Sequence, residues 1–423
     1  MRGAAMRRIT WGGTVLGRAV RAVPSRADWL RSAAVLLVAL AALAAAPGAG
    51  AQAAASASGA NLADEATISG QVRQTASVAT ALSGVAAFSG GAATSLSLAL
   101  DASRDSASLR ASLHFSILYG DEAAALWTTL GASPSAGSSL LMAPAFDAAA
   151  AAPECLALLA LDELALAWDI GPFAFEAGKT IANWGVGKAF SPADFFAEFD
   201  YSSGTPSRRS SLLARATWFA GATSRLDLVY APYAASVNAL AGAAGSSAAP
   251  GAIPTSAIVA ARAYATAFDS LAFALAAGIR GATGSLPTSL LGALEATFDL
   301  PFVSPYGEAS VAAALDGTKA IAYSLLGGGQ ARIGDASLLA EYLYSPQAVA
   351  AHSVFAQAGL PIDEWISISA PLLYYPESGA LTVAASFAAS DIAGLSLAIT
   401  ASASRSNLQT WSGKLALSAR TSF

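Results

Sequence analysis

Residues 106–120 read SASLRASLHFSILYG, a stretch in which apolar and polar side chains alternate over eleven residues. The odd positions form an apolar face of Leu109, Ala111, Leu113, Phe115, Ile117 and Tyr119, and the even positions form a polar face of Ser108, Arg110, Ser112, His114 and Ser116. Successive side chains of a β-strand point to opposite faces of the sheet. The pattern therefore predicts a strand with one lipid-like face, long enough to cross a bilayer at a tilt.

Similar runs, separated by turn residues, follow one another along the chain. They include SLSLALDAS (95–103), SRLDLVYAP (224–232), SLAFALAAGIRG (270–281), TSLLGALEATFDL (288–300), YGEASVAAALDG (306–317), GALTVAASFAAS (379–390) and GLSLAITASAS (394–404). Between 15 and 17 candidate strands can be counted, and the number depends on how the alanine-rich zones 66–92 and 232–257 are divided. Because bacterial single-chain barrels have even strand numbers, we predict an all-β fold: a transmembrane, antiparallel, up-and-down β-barrel of about 16 strands, with 14 to 18 possible.

Composition is consistent with a membrane protein that crosses by strands. Hydrophobic residues make up 55% of the chain and charged residues only 12%, against a usual charged share of about 25%. After residue 51 no long apolar run is free of charges or proline. This pattern argues against membrane-spanning helices. A closed β-barrel is the other structure that satisfies every backbone polar group in lipid. A soluble two-domain β-sandwich protein remains the alternative, although it would not need strands of this length.

The first 51 residues have the layout of a secretory signal peptide. Seven arginines precede the apolar run SAAVLLVALAALAAAP (32–47), and an A-x-A cleavage site follows at 49–51. The Arg7-Arg8 pair leaves the twin-arginine export route open, although it lies far from the apolar run. We expect a signal peptide over 1–51, a lead-in over 52–66 and a single barrel domain over 67–423.

The charge of the exported chain argues against binding to nucleic acid. Removal of residues 1–51 takes away seven arginines and one aspartate, which leaves 16 basic and 27 acidic residues and a net charge of −11. Nucleic acid requires a basic surface. The single cysteine, Cys155, cannot form an internal disulfide, and its apolar surroundings favour a buried structural residue over a reactive thiol.

The chain ends in another alternating strand, KLALSARTSF (414–423). Together with the signal peptide and the hairpin series, this strand resembles the terminal signal of Gram-negative outer-membrane β-barrels. The resemblance implies an outer-membrane location, contact with outer-membrane lipid and recognition of the last strand by the barrel-assembly machinery. The residues that carry it are Trp411, Leu415, Leu417 and Phe423.

One segment, 178–196, does not alternate and is rich in glycine and aromatic residues. It resembles a pattern in a group of large, mostly uncharacterised outer-membrane barrels: a strand ending in Gly-Lys, then WG-x-G, then P-x-D-F-F. The matching residues are Gly178, Lys179, Trp184, Gly185, Gly187, Pro192, Asp194, Phe195 and Phe196. The segment either folds into the lumen as a constriction, with Lys179, Lys188, Asp194, Arg208 and Arg209 nearby, or forms a structural plug or tight loop.

Strand parity assigns charged side chains to the lumen. The basic set is Arg110, Arg215, Arg225, Arg280, Arg332, Lys414 and Arg420, the acidic set is Glu163, Glu176, Asp227, Glu295, Glu308 and Glu341, and His114 lies on the same face. Because seven basic residues nearly balance six acidic ones and charge rings set ion preference, we expect no strong ion selectivity.

Little else in the sequence indicates chemistry. His114 has serines two residues away on either side, but a catalytic serine also needs a third polar group to orient the histidine. No cluster has metal-ligand spacing, so we expect neither a cofactor nor an enzyme. The sequence favours a porin-like channel for passive diffusion of small hydrophilic solutes. The alternative is a non-conducting structural or surface-interaction barrel, and the solute and the oligomeric state stay open.

Overall fold

The computed structural model describes residues 65–81, 88–132, 140–142, 154–196, 198–200, 206–232, 257–268, 270–282, 287–318, 320–348, 350–392, 394–406 and 410–422. The predicted signal peptide and most of the predicted lead-in lie outside them. The described strands are β1 (Glu65–Ala81), β2 (Phe88–Arg104), β3 (Ala107–Gly120), β4 (Leu140–Met142), β5 (Cys155–Ile170), β6 (Phe173–Thr180), β7 (Glu198–Asp200), β8 (Ser207–Arg209), β9 (Ser211–Phe219), β10 (Ser224–Pro232), β11 (Ala257–Ala267), β12 (Leu271–Arg280), β13 (Ser289–Phe298), β14 (Val303–Ala314), β15 (Ile321–Ile333), β16 (Ala336–Tyr344), β17 (His352–Pro361), β18 (Ile366–Tyr375), β19 (Ala380–Ile392), β20 (Leu395–Ser406) and β21 (Thr410–Ser422). One helix, α1 (Asp121–Ala132), follows β3.

Eighteen of these strands form a closed antiparallel barrel. Each barrel strand pairs with its neighbours in chain order, and β21 closes the barrel by pairing with β1, from Gln71 opposite Ser422 to Ala81 opposite Ser412. The short β4 pairs with β5, and β7 pairs with β8 in a separate two-stranded sheet. The prediction of an all-β antiparallel barrel is confirmed, with a strand number at the upper end of the predicted range.

The barrel wall has two chemically different faces. On β12, for example, Phe273, Leu275 and Ile279 point outward and are 44%, 61% and 50% exposed, whereas Ala274 and Ala276 point inward and are buried. Outward rows of large apolar residues recur on the strands around the barrel. A continuous apolar exterior of this size is typical of a wall that contacts lipid.

The two ends of the barrel differ in the length of their connections. The end that holds the start of β1 and the end of β21 has short turns, such as 105–106, 171–172 and 334–335. The opposite end has the long connections 121–154, 181–210 and 233–256. Membrane barrels have short periplasmic turns and longer extracellular loops.

None of the helices in the described part of the chain is both long and apolar enough to cross a bilayer.

Candidate functional site

Residues 181–196, which follow β6, fold into the barrel interior without helix or strand; we call them the inner loop. Most of its apolar side chains are buried or half-buried and pack against inward side chains of the wall, whereas Ile181, next to β6, is 39% exposed. One cluster joins Ala182, Trp184, Ala193 and Phe196 to Leu213, Val229, Ala231, Ile258, Ala260, Ala276, Leu291 and Ala293. A second joins Ala189 and Phe190 to Tyr306, Leu326 and Phe355. The loop therefore lies against the wall formed by β9 to β17.

Trp184 is the centre of the first cluster. Its ring is 1% exposed and meets the ring of Phe196 edge-on, with centroids 4.9 Å apart and planes at 79°. Phe195 lies on another side of the indole, at 6.2 Å. Edge-to-face contacts of this kind add to the stabilisation that burial gives. The aromatic residues of the WG-x-G and P-x-D-F-F motifs thus pack on one another inside the barrel.

The carboxylate of Glu308, on β14, binds the inner loop through its backbone. It accepts hydrogen bonds from the N–H groups of Val186 at 2.5 Å, Gly187 at 2.6 Å and Ala193 at 2.9 Å. The hydroxyl of Ser191 donates to the same carboxylate at 3.1 Å. Burial of a carboxylate is costly unless its oxygens are hydrogen-bonded, and the inner loop supplies those bonds.

Glu341, on β16, binds the next part of the loop in the same way. Its carboxylate accepts the N–H groups of Lys188 at 2.5 Å, Ala189 at 2.9 Å and Phe190 at 2.9 Å, and the hydroxyl of Tyr306 also donates to it. Glu308 and Glu341 are 4% and 2% exposed. Two acidic side chains of the wall therefore fix six consecutive or near-consecutive backbone groups of the loop.

Arg208, on β8, ties the loop to itself. Its guanidinium donates to Asn183 Oδ1 at 2.8 Å, to the carbonyl oxygen of Gly187 at 2.9 Å and to Asp194 Oδ2 at 3.2 Å. The Asp194 side chain is completely buried and that of Arg208 is 13% exposed. The neighbouring Arg209 is exposed. A buried, hydrogen-bonded pair of this kind has a defined geometry, which a solvated surface pair lacks.

The glycines of the motif stand where a side chain has no room. Gly185 has φ +79°, and a Cβ there would lie 1.9 Å from Ser191 Oγ. A Cβ on Gly187 would lie 1.7 Å from the carbonyl oxygen of Phe190. Gly178, at the end of β6, has φ +138° and would place a Cβ 2.0 Å from the carbonyl oxygen of Leu164. These close approaches explain why glycine stands at the three positions.

Ion pairs line the inward wall beside the loop. Glu176 lies between Arg110, at 2.6 Å, and Arg215, and Arg110 also lies 3.3 Å from Glu163. These four residues, all assigned to the lumen by parity, come from β3, β5, β6 and β9 and form one connected network. Arg215 also donates to the carbonyl oxygen of Ala182 in the inner loop, at 3.1 Å.

A second network contains an arginine that the sequence analysis missed. Arg262, on β11, makes two hydrogen bonds to Glu295, at 2.9 and 2.7 Å, and lies 3.8 Å from Asp227, which in turn lies 3.4 Å from Arg225. In AIVAARAYATA the alternation has little contrast, so parity gave no signal there. The signal lies in the strand register, which places Arg262 directly opposite Asp227.

The other residues predicted for the site or lumen lie away from the inner loop. His114 pairs with Ser97 across β2 and β3 at 2.8 Å, and Lys414 pairs with Glu122 of α1 at 2.5 Å. Arg280, Arg332 and Arg420 lie at the ends of inward rows, and Arg420 stands opposite Arg73 across the closing strand pair. Lys179 lies on an outward row, between Leu164 and Leu212, and donates to the carbonyl oxygen of Leu161.

Three of the residues predicted to form the terminal signal, Trp411, Leu415 and Leu417, lie on the closing strand. Trp411 contacts Arg405, whose guanidinium carbon lies 5.3 Å from the ring centroid. Leu415 points outward and is 55% exposed, and Leu417 is half-buried. Phe423 lies outside the described residues.

Pro192, of the inner loop, is partly exposed.

A cavity of about 640 Å³ lies between the inner loop and the wall. The loop contributes Asn183, Gly185, Val186, Gly187 and Lys188. The wall contributes residues from β11 to β15 and from their short turns. The cavity therefore lies on the side of the loop that faces the short-turn end of the barrel. We call it the vestibule cavity.

Solved structures share this barrel fold. OccK5 (OpdH) of Pseudomonas aeruginosa matches with a TM-score of 0.52 at 9% identity, over 86% of this chain and 99% of that chain. OpdQ of the same organism matches with a TM-score of 0.51 at 9% identity, over 85% and 98%. The outer membrane protein opdK, also from Pseudomonas aeruginosa, matches with a TM-score of 0.50 at 7% identity, over 84% and 98%. No protein-family model and no curated protein matches the chain.

Proposed function

We propose that the protein is a porin-like channel of a Gram-negative outer membrane, through which small hydrophilic solutes diffuse passively. The observation that carries this proposal is a closed barrel of 18 strands, apolar outside and lined with ion pairs inside, with a loop bound within it. Barrels of 16 to 18 strands are wide enough to leave an aqueous channel. A loop that packs on one part of the wall narrows such a channel.

The inner loop acts as the constriction. Its apolar contacts reach the wall between β9 and β17, and its backbone donates hydrogen bonds to Glu308 and Glu341 and accepts one from Arg215. Anchoring by buried carboxylates keeps the loop at one depth, so that the opening has a constant size. The paired arginines and glutamates beside it favour weak ion selectivity, because each positive charge is matched nearby.

The location follows from the exterior and from the last strand. Aromatic residues lie near the outward ends of the strands, for example Trp168 stacked on Phe175 at 5.4 Å near the short-turn end, as in the interfacial girdles of membrane barrels. Leu415 and Trp411 of β21 supply the outward row that the barrel-assembly machinery would read. One of the structures with this fold is described as an outer membrane protein.

Single-channel recording tests the proposal. Protein extracted from the outer membrane of an expressing host is reconstituted into a planar bilayer in potassium chloride. We expect discrete, stable current steps with little preference between potassium and chloride. Well-folded, heat-modifiable protein that gives no steps would refute the channel function.

A second candidate is a non-conducting structural barrel. Helix α1 favours it, because its Ala123 packs against Leu156 and Leu158 on the inward face and its Glu122 pairs with Lys414. Two inserts then share the lumen. The absence of current steps in the same recording, with an intact barrel, supports this candidate over the channel.

A further inference from the structure

We infer that the vestibule cavity is a binding subsite for an uncharged, hydroxyl-rich solute of the sugar class. The inference rests on the channel function proposed above and narrows its solute class. The volume of about 640 Å³ falls within the range of small-molecule sites, roughly 300–1,000 Å³.

The two arginines at and behind the cavity lining are already paired with carboxylates. Arg208 is bound by Asp194 at 3.2 Å, and behind the lining Arg262 is bound by Glu295 at 2.7 Å. Among the lining residues, Lys188 and Asp299 carry opposite charges, and Asp299 accepts a hydrogen bond from Ser304 at 2.7 Å. A solute with a net charge would meet no field of a single sign there.

The remaining polar lining consists of groups that both donate and accept hydrogen bonds. They are the hydroxyls of Tyr264, Thr266, Ser270, Thr297, Ser304 and Tyr306 and the amides of Asn183 and Gln330. Thr266 already donates to Tyr264, Ser270 to the carbonyl oxygen of Phe268 and Ser304 to Asp299, so these three hydroxyls are left to accept. Hydroxyls and amides of this kind match the hydroxyl groups of a sugar, each of which also donates and accepts. A carboxylate solute can only accept and would find no free donor on Thr266, Ser270 or Ser304, whereas a sugar hydroxyl can donate to them.

The hydroxyl of Thr297 is an unused hydrogen-bonding group of the cavity wall. Its Oγ1 is buried and has no hydrogen-bond partner among the described residues. Thr297 stands on β13 two residues after Glu295, on the same inward row, at the end of the strand nearest the short turns. Buried polar atoms are normally hydrogen-bonded, so a solute hydroxyl that the Thr297 side chain turns to meet in the cavity would complete the bonding of this side chain.

Three solutes of matched size test the class: glucose, gluconate and glucosamine. In single-channel recordings, glucose is expected to produce stronger current fluctuations than gluconate, which is negatively charged, or glucosamine, which is positively charged. Calorimetric titration of the same purified protein should rank the three solutes in the same order. A stronger effect of gluconate or of glucosamine would overturn the inference.

Variants locate the site. Thr297→Val and Gln330→Leu should each weaken glucose binding about three- to tenfold, the loss expected for one hydrogen bond. Thr400→Val, on β20 and away from the cavity, is the matched control and should leave glucose binding unchanged. Equal glucose binding in all three variants overturns the subsite.

The two proposals fail differently. A barrel that conducts ions but shows no preference for glucose contradicts only the subsite. A barrel that gives no current contradicts the channel, and the calorimetric ranking of the three solutes then decides on the subsite alone.

Discussion

The carboxylate of Glu308 and the backbone nitrogen of Gly187 lie 2.6 Å apart, although 121 positions separate the two residues in the chain. The contact joins the middle of a wall strand to the centre of the WG-x-G motif. It is one of several hydrogen bonds to wall residues that fix the depth of the inner loop in the barrel.

Glu308→Gln should loosen the inner loop without unfolding the barrel. The amide keeps one acceptor oxygen but turns an NH₂ group towards N–H donors, and a hydrogen bond to a charged group contributes about 1.5–3 kcal/mol. We expect a larger mean conductance and more open-channel noise in single-channel recordings. Glu364→Gln, in the exposed turn after β17, is the control. Unchanged conductance in Glu308→Gln would show that the loop does not depend on this anchor.

Gly187→Ala should displace the loop through steric overlap. The new Cβ would lie 1.7 Å from the carbonyl oxygen of Phe190, a distance that the backbone cannot accept. Gly327→Ala is the matched control, because a Cβ there has no heavy atom within 4 Å. Limited proteolysis of protein in lipid vesicles should cleave Gly187→Ala faster than Gly327→Ala, and equal rates would contradict the described loop position.

Leu275→Arg tests the lipid contact of the outward face. Leu275 is 61% exposed and stands mid-strand on β12. An arginine facing lipid near the middle of the bilayer costs about 2–4 kcal/mol. The free energy of unfolding in urea, measured in lipid vesicles, should fall by that amount. Thr400→Arg, on an inward row, should cost less, and the reverse order would contradict the assignment of the faces.

Acid should release helix α1 from the wall. Burial acts to raise the pKa of Glu122, but the hydrogen bonds from Lys414 and Ser77 and the charge of Lys414 outweigh it and hold this pKa below its ordinary value. The stabilisation by a carboxylate with a lowered pKa is present above its unfolded value, about 4.3, and is lost as the pH falls through the folded value. We expect constant channel noise from pH 8 to about 5 and a rise below about pH 4.

Glu122→Gln should show the raised channel noise already at neutral pH, and its channel noise should no longer depend on pH. Asp121→Asn, at the exposed neighbouring position, should keep the pH profile of the unaltered protein. If Glu122→Gln kept the pH profile of the unaltered protein, another group would control the acid response.

The last strand should matter more for assembly in the cell than for folding in vitro. Phe423→Ser and Leu415→Ser leave the backbone pairing of β21 with β1 possible, but remove side chains of the proposed assembly signal. We expect less heat-modifiable protein in the outer membrane and near-normal refolding in detergent. Equal loss in both assays would indicate a folding defect and no specific role in recognition.

The sequence alone determined the fold class and the two faces of the wall. Side-chain alternation is a local consequence of strand geometry, so Leu113 and Leu275 could be assigned outward and Arg110 and Glu295 inward before any tertiary contact was known. The WG-x-G motif marked the one segment that leaves the strand pattern. Low contrast in alanine-rich strands such as β11 limited this reading, and Arg262 was missed there.

Only the tertiary structure decided which groups meet. Glu308 and Glu341 look in the sequence like further lumen charges, yet their partners are backbone N–H groups of the inner loop. The pairing of Arg262 with Glu295 and the vestibule cavity depend equally on strand register and on the path of the loop. The face of a side chain follows from the geometry of its own strand, whereas its partner depends on barrel closure and on segments more than a hundred residues away.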